Sequence, residues 1–293
     1  MGSAVNNMYV SPLRYPGGKL KVVDYVKRLY EINDLVGGTY VEPYAGGASV
    51  ALSLLFSNYA QTIRINDIDR SIYAFWHSVL NETDTLCQLI KDTEVNMDEW
   101  YKQHDIQNHK NDADDLTLGF STFFLNRTNR SGILSAGVIG GKDQTGTYKL
   151  DARYNKDNLI ERINSIASFA DRIVLTNMDA VALLQTIETP SEKTLCYLDP
   201  PYYVKGPDLY LNYYGDEDHR QIAQAVKDFE GLWLISYDAV PFIKDLYQGY
   251  RQTEYYLSYS AGNPAKGKEI MVYSDNLVLP EGDVVKLKKA AKR

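Results

Sequence analysis

The sequence predicts an α/β fold, a mostly parallel sheet covered by helices on both faces and finished by an antiparallel hairpin. Two observations carry this. Short apolar runs alternate with segments of helical periodicity in both halves of the chain, the pattern of β-α units that feed a parallel sheet. Near the C-terminus the alternation gives way to two β-rich runs, 254–260 and 269–274. Ala261-Gly262-Asn263-Pro264 lies between them as a turn, so they read as a hairpin on the sheet's edge.

Taken in order, strands are expected near 39–42, 62–66, 172–176, 194–198 and 231–236, each ending in a polar or glycine-containing turn. Helical patterns follow at 48–57, 70–80, 179–187 and 216–229. Ahead of the first strand an amphipathic helix places Val22, Val23, Val26 and Leu29 on one side. Residues 81–160 break the alternation: a helical stretch around 116–125 leads into 126–146, rich in Gly, Ser, Thr, Asn and Arg with no sustained period. We read an inserted region, which divides the chain into a main unit of residues 8–80 and 165–280 and an insert of residues 81–164.

A chain of 293 residues, 44% apolar, is long enough for one large core with such an insertion. No uninterrupted apolar stretch approaches the roughly 18 residues of a membrane span, so no membrane association is expected. Cys87 and Cys196 are the only cysteines. No disulfide framework is visible, and a reducing cytoplasm is the expected compartment. The four histidines show no metal-ligand spacing with the cysteines, and no metal is expected. The net charge of −7 disfavours a nucleic-acid binder only as an average, because binding needs a local basic surface. Acidic residues crowd 82–99 and 112–115, while Arg127, Arg130, Lys142 and Lys149 lie mid-chain.

Three segments carry chemistry. In Thr39-Tyr40-Val41-Glu42-Pro43-Tyr44-Ala45-Gly46-Gly47-Ala48, an apolar strand runs through a Gly-Gly turn into a helix. Small residues there let the backbone approach a ligand. Asp67 ends the next strand, where a carboxylate can accept hydrogen bonds from ribose hydroxyls. The dinucleotide GxGxxG spacing is absent, and taken alone the turn serves equally as a plain strand-to-helix connection. Arg14-Tyr15-Pro16-Gly17-Gly18-Lys19 sets a glycine loop and a lysine at a helix start, suited to a carboxylate or phosphate. It lacks the P-loop spacing, which excludes nucleotide hydrolysis by that route.

The third segment is Leu195-Cys196-Tyr197-Leu198-Asp199-Pro200-Pro201-Tyr202. An apolar strand delivers a carboxylate, two prolines fix the backbone, and an aromatic ring follows. These residue types suit activation of an exocyclic amine such as adenine's, whose lone pair is delocalised into the ring. A carboxylate and a proline carbonyl accepting its two hydrogens localise that lone pair, and a tyrosine can stack on an extruded base.

Together, and in this order, the three segments resemble the Dam-type (alpha-class) N6-adenine-specific DNA methyltransferases. The resemblance covers roughly residues 11–85 and 170–275, with a looser echo in Phe123-Phe124-Leu125-Asn126-Arg127. It implies a Rossmann-like sheet that binds S-adenosyl-L-methionine and yields S-adenosyl-L-homocysteine, with the insert as a mainly helical target-recognition region. Tyr15, Gly18 and Lys19 would line the cofactor site. Glu42, Pro43, Tyr44, Ala45, Gly46 and Gly47 would pass its methionine moiety, Asp67 with Ile68 its ribose, and Asp179 its adenine amine. Asp199 would touch cofactor and target, with Pro200, Pro201 and Tyr202 completing the catalytic loop. Ala48 stands where a third glycine is common, and 126–146 is unlike the GATC-methylating members.

Double-stranded DNA is the implied partner, with Arg14, Arg127, Asn129 and Arg130 as candidate contacts, since arginine and asparagine bind phosphates and base edges. A cognate restriction or defence-system enzyme is a further partner the resemblance suggests. Two alternatives stay open: an RNA adenine methyltransferase, and a catalytically silent DNA-binding module of the same fold. Erosion at Lys19, Gly46 or Asp199 would mark the silent module, and the sequence has none.

Overall fold

The computed structural model describes residues 10–14, 19–187, 193–204, 214–258 and 266–285. Seven strands form one sheet: β1 (Gly38–Glu42), β2 (Ala60–Asn66), β3 (Ile173–Thr176), β4 (Thr194–Leu198), β5 (Leu232–Asp238), β6 (Arg251–Ser258) and β7 (Lys266–Tyr273). Their spatial order is β3-β2-β1-β4-β5-β7-β6. The pairs β3–β2, β2–β1, β1–β4 and β4–β5 are parallel, and β7 lies antiparallel to both β5 and β6. The expected hairpin is therefore present, but its strands begin earlier than the sequence suggested, at Arg251 and Lys266. Residues 261–264, read as its turn, lie outside the described residues.

The chain builds outward from β1 to β2 and β3, then returns to β4 on the other side of β1. At such a reversal the loops after neighbouring strands diverge, and their carboxyl ends leave a crevice for a ligand. All five residues of β4 are buried, as expected of a strand covered on both faces. Alternate residues feed two cores. Tyr40, Leu195, Tyr197 and Leu234 point into one, and Val41, Cys196, Leu198 and Ile235 into the other.

A 3-10 turn at Lys19–Val22 leads into α1 (Val23–Ile32), whose apolar face is buried. Then come α2 (Ser49–Phe56) and α3 (Arg70–Asn81), the latter capped by Asp69, which accepts the Ser71 N–H. The segment between β2 and β3 holds more helix than the sequence revealed, α4 (Thr83–Asp92), α5 (Met97–Asn108), α6 (Asp115–Thr128) and α7 (Lys156–Ala167), the last running past the expected bound at residue 164. Asn96, Asp114 and Asn155 cap the last three. Helix α5 is hard to see because it buries little, Trp100 and Gln103, whereas α4 sets Leu86 and Ile90 into the core with the half-buried Cys87 and Leu89 beside them. Helix α6 runs beyond the expected 116–125, so Asn126 and Arg127 are helical. Among the described residues the remaining α-helices are α8 (Ala180–Gln185), α9 (Asp216–Asp228) and α10 (Pro241–Leu246).

Helix α6 is buried almost all round and crosses α3 closely. A Cβ at Gly119 would lie 2.4 Å from Ser78 Oγ and 2.6 Å from the Ala74 carbonyl oxygen, so the crossing requires glycine. Phe75 stacks on Phe123 with centroids 6.1 Å apart. The apolar core passes without a break from Ile63 of the sheet through Trp76 to Phe124 of α6 and Leu159 and Ile163 of α7.

Candidate active site

The carboxyl edge of the parallel strands is tied together by one buried side chain, Asn66. Its Nδ2 donates to the carbonyls of Pro43 and Met178, each at 2.9 Å. Its Oδ1 accepts from Thr176 Oγ1 at 2.8 Å and the Met178 N–H at 2.9 Å. Loops after β1, β2 and β3 are thereby fixed to one another, with every hydrogen-bonding position of the amide used.

Glu42 closes β1 as a buried carboxylate that accepts the Ala51 N–H at 3.3 Å. Burial pushes its carboxyl well above the usual range, and the Asp199 charge adds to that. After Pro43, the Tyr44 hydroxyl meets that of Tyr214 at 2.9 Å, and the Ala45 N–H donates to the Asn66 carbonyl. Gly46 takes a left-handed backbone (φ 46°), donates its N–H to Asp67 Oδ2 at 2.9 Å and accepts from Trp76 Nε1 at 2.9 Å. Past Gly47, Ala48 also sits in the left-handed region (φ 48°), which explains why glycine suits this position.

Asp67 follows β2. Its Oδ1 accepts the Asp69 N–H at 2.9 Å, and burial, only partly offset by its hydrogen bonds, lifts its pKa to about 7. Ile68 beside it is exposed, and its carbonyl accepts from Asn177 Nδ2. Asp179, beyond β3, caps α8 through Oδ1, accepting the N–H groups of Val181 and Ala182 at 2.9 and 3.2 Å. Residues Glu42 to Gly47, Asp67 and Asp179 thus share one edge. Tyr15 and Gly18 lie outside the described residues.

At the end of β4 stands a buried charge network. Lys19 Nζ lies 3.1 Å from Asp199 Oδ1 and 3.1 Å from Glu269 Oε2. Burial works against the ammonium charge, but the two carboxylates outweigh it and hold the Lys19 pKa above its usual value. Lys19 also donates to the Tyr202 hydroxyl. The Ser236 hydroxyl donates to Asp199 Oδ1 at 2.6 Å. Burial raises the Asp199 pKa against the pull of Lys19. Its side chain is 23% exposed, whereas that of Lys19 is 4% exposed. Lys19 is therefore spent inside the protein rather than held out as a free cation for a carboxylate or phosphate, as its loop had suggested. Pro200 is buried and Pro201 partly so. Tyr202, 3% exposed, has the Lys19 ammonium 4.7 Å from its ring centroid. Beyond it, the N–H groups of Tyr203 and Val204 donate to the two oxygens of Asp238, each at 2.9 Å.

A family model for D12 class N6 adenine-specific DNA methyltransferase matches residues 15–259. The chain belongs to this family. It is 25% identical over 251 residues to the Type II methyltransferase M.CviBI of Paramecium bursaria Chlorella virus NC1A, covering 84% of this chain and 90% of that protein. It is also 25% identical over 267 residues to the Type II methyltransferase M.MjaIII of Methanocaldococcus jannaschii, covering 83% of this chain and 90% of that protein. Among solved structures, TrmN from Thermus thermophilus superposes with a TM-score of 0.38 at 9% identity, covering 84% of this chain and 47% of that one, about half its length. The fold rests on the strand order, not on that superposition.

For a DNA adenine methyltransferase the basic side chains on and beside α6 matter next. The segment carrying Arg14 is bolted to α6: the Arg14 N–H donates to Asn126 Oδ1 at 2.7 Å, and Asn126 Nδ2 returns to the Arg14 carbonyl at 2.8 Å. Arg14 Nη1 donates to the Asn129 carbonyl at 3.2 Å. Arg127 donates through Nε to the Arg153 carbonyl at 2.7 Å, and burial together with Arg14, Arg162 and Arg153 lowers its pKa to about 9. Arg130 is exposed. Asn129 differs from expectation. It is fully buried, accepts from Trp100 Nε1 at 2.7 Å and donates to the Ile133 and Leu134 carbonyls. Its amide shapes the turn after α6 and has nothing left to offer DNA.

Four site residues escaped the sequence reading: Asn66, Ser236, Asp238 and Glu269. Glu269 carried a usable signal, a lone acid in an otherwise β-rich run, but its partners lie far away in sequence. Among the described residues, no helix is long and apolar enough to cross a membrane.

Proposed function

We propose that this protein transfers the methyl group of S-adenosyl-L-methionine to the N6 amine of an adenine flipped out of double-stranded DNA at a specific sequence. The single observation that carries the reading is Asp199, a part-exposed carboxylate at the mouth of the β1–β4 crevice, followed by Pro200. The cofactor fits the residues present. Asp67 offers a carboxylate beside a left-handed glycine turn, the arrangement a ribose diol needs. Asp199, part exposed at this edge, sets a carboxylate where a sulfonium cation is complementary.

In this reading Glu42, Pro43, Tyr44, Ala45, Gly46 and Gly47 border the methionine moiety and Asp67 with Ile68 the ribose, while Asp179 meets the adenine. Tyr15 and Gly18 join them on the family resemblance alone, and Lys19 acts through Asp199 and Tyr202. Bound, the cofactor supplies an electrophilic methyl on a good leaving group and departs as S-adenosyl-L-homocysteine. The protein's task is alignment and amine polarisation. Asp199 and the Pro200 carbonyl accept the amine's two hydrogens, and Tyr202 stacks on the base. Because Tyr202 is buried, stacking follows an opening of the site around its ring.

Residues 81–164 serve as the target-recognition region. Arg14, Arg127 and Arg130 supply phosphate contacts, a reading supported by the exposure of Arg130 at the end of the helix that carries Arg127. The relatives named Type II methyltransferases support a cognate restriction enzyme as partner, and the cytoplasm is where both would meet DNA. The test is transfer of isotope-labelled methyl to unmethylated DNA, RNA and protein in parallel. N6-methyladenine in DNA is the expected product. Label only in RNA or protein would overturn the proposed acceptor.

A further inference from the structure

Glu269 sits fully buried in the middle of β7, between Lys268 and the apolar Ile270. A buried carboxylate is costly unless its oxygens are matched by donors or a positive charge. Both oxygens are matched here. Oε1 accepts the Tyr202 hydroxyl at 2.6 Å, and Oε2 accepts the Tyr255 hydroxyl at 2.6 Å and Lys19 Nζ at 3.1 Å. Directly across the sheet, Glu269 pairs in register with Asp238, whose carboxylate takes the Tyr203 and Val204 N–H groups. Three consecutive residues after the Pro-Pro step are therefore held by two carboxylates on facing positions of β5 and β7.

We propose that Glu269 is a positioning residue that binds Lys19 and the Tyr202 hydroxyl to one carboxylate, and so sets the catalytic loop at its working geometry. The proposal rests on the reading of Asp199 and Tyr202 given above. In this role Glu269 acts through Lys19 and Tyr202, the groups its carboxylate meets, and not on the reacting atoms. Its first effect is on charge: with Glu269 sharing Lys19, the ammonium is not drawn wholly onto Asp199, whose lone pairs stay free for the target amine. Its second effect is on orientation, because a phenol anchored at its hydroxyl keeps its ring plane when the site opens and closes.

The experiment uses the full chain and compares Glu269→Gln, Tyr202→Phe and Tyr255→Phe, alone and with Tyr202→Phe as background. Single-turnover transfer is measured at saturating S-adenosyl-L-methionine on unmethylated DNA, alongside DNA affinity. Glu269→Gln is expected to slow transfer roughly 10- to 100-fold, the scale of a lost hydrogen bond to a charged group. DNA affinity should hold, because the defect lies in alignment. Tyr202→Phe should slow transfer about tenfold, and adding Tyr255→Phe to it should cost nothing more, since both act through one carboxylate. Wild-type rates in Glu269→Gln, or independent multiplying losses in the double variant, would overturn the proposal. Should Glu269→Gln fail to fold, seen as loss of a cooperative melting transition, the two tyrosine variants decide: unchanged transfer in both overturns it. Wild-type transfer by Asp199→Ala would instead sink the underlying site assignment.

Discussion

Asp67 accepts the Gly46 N–H through Oδ2 at 2.9 Å, so the carboxylate that ends the second strand closes the turn that ends the first. Burial lifts its pKa from 3.8 to about 7. The unfolded chain ionises this group near 4 while the folded protein keeps it protonated until about 7, so the folded state binds more protons across that window. Its contribution to stability therefore falls as pH rises from about 4 to about 7 in the free protein. A ribose diol is held best by the ionised form, so cofactor affinity should climb through the same upper limit. Titrating S-adenosyl-L-methionine binding between about pH 6 and about pH 8 checks this. Asp67→Asn should bind weakly with no such slope, and a flat profile in the unmodified protein would contradict the ribose role.

Asp199→Ala removes the acceptor for the target amine. Transfer should fall on the order of a thousandfold or more, by analogy with the loss of one preorganised transition-state partner. Binding of the cofactor to the other loops should persist. Rate and cofactor-induced melting shift, measured on the same preparation, separate the two effects. Residual transfer near the unmodified rate would remove Asp199 from the mechanism.

Lys19 is the shared cation of two carboxylates, one almost completely buried. Lys19→Met should leave both uncompensated and destabilise the fold by about 3–5 kcal/mol, the usual consequence of breaking a buried ion pair from one side. The deficit should narrow on acidification as the carboxylates protonate. Urea denaturation at neutral and mildly acidic pH measures both, and an unchanged midpoint at neutral pH would mean that the network contributes no net stability.

The parts of this molecule visible in its sequence are those governed by local rules. Strand ends at Glu42, Asn66 and Leu198 follow from apolar runs stopping at polar or glycine turns, and Asp199-Pro200-Pro201-Tyr202 announces itself by composition. Helix α5 was not visible, because a helix that buries only Trp100 and Gln103 shows too narrow a stripe to stand out. Glu269 and Asp238 were missed for a different reason. Their meaning lies in pairings such as Lys19 with Glu269, set by strand order and not by spacing along the chain. Asn129 misled because an exposed-looking Asn-Arg run gives no hint that one amide turns inward while its neighbour turns out.

That contrast between Asn129 and Arg130 can be measured. Arg130 is exposed, and its side chain donates to the Gly137 carbonyl only at 3.4 Å, a bond readily exchanged for a phosphate. Arg130→Ala should weaken DNA binding and reduce the slope of log affinity against log salt by about 1, with cofactor affinity unchanged. Asn129→Ala should do the reverse. It orphans Trp100 Nε1 and two carbonyls in a buried turn, each worth about 1–3 kcal/mol, so stability should drop while the salt slope of the folded fraction stays the same. Fluorescence anisotropy with a DNA duplex over a salt series, paired with urea midpoints, distinguishes the two. If Asn129→Ala lowered the salt slope at full stability, its amide would be a DNA contact and the turn would need another support.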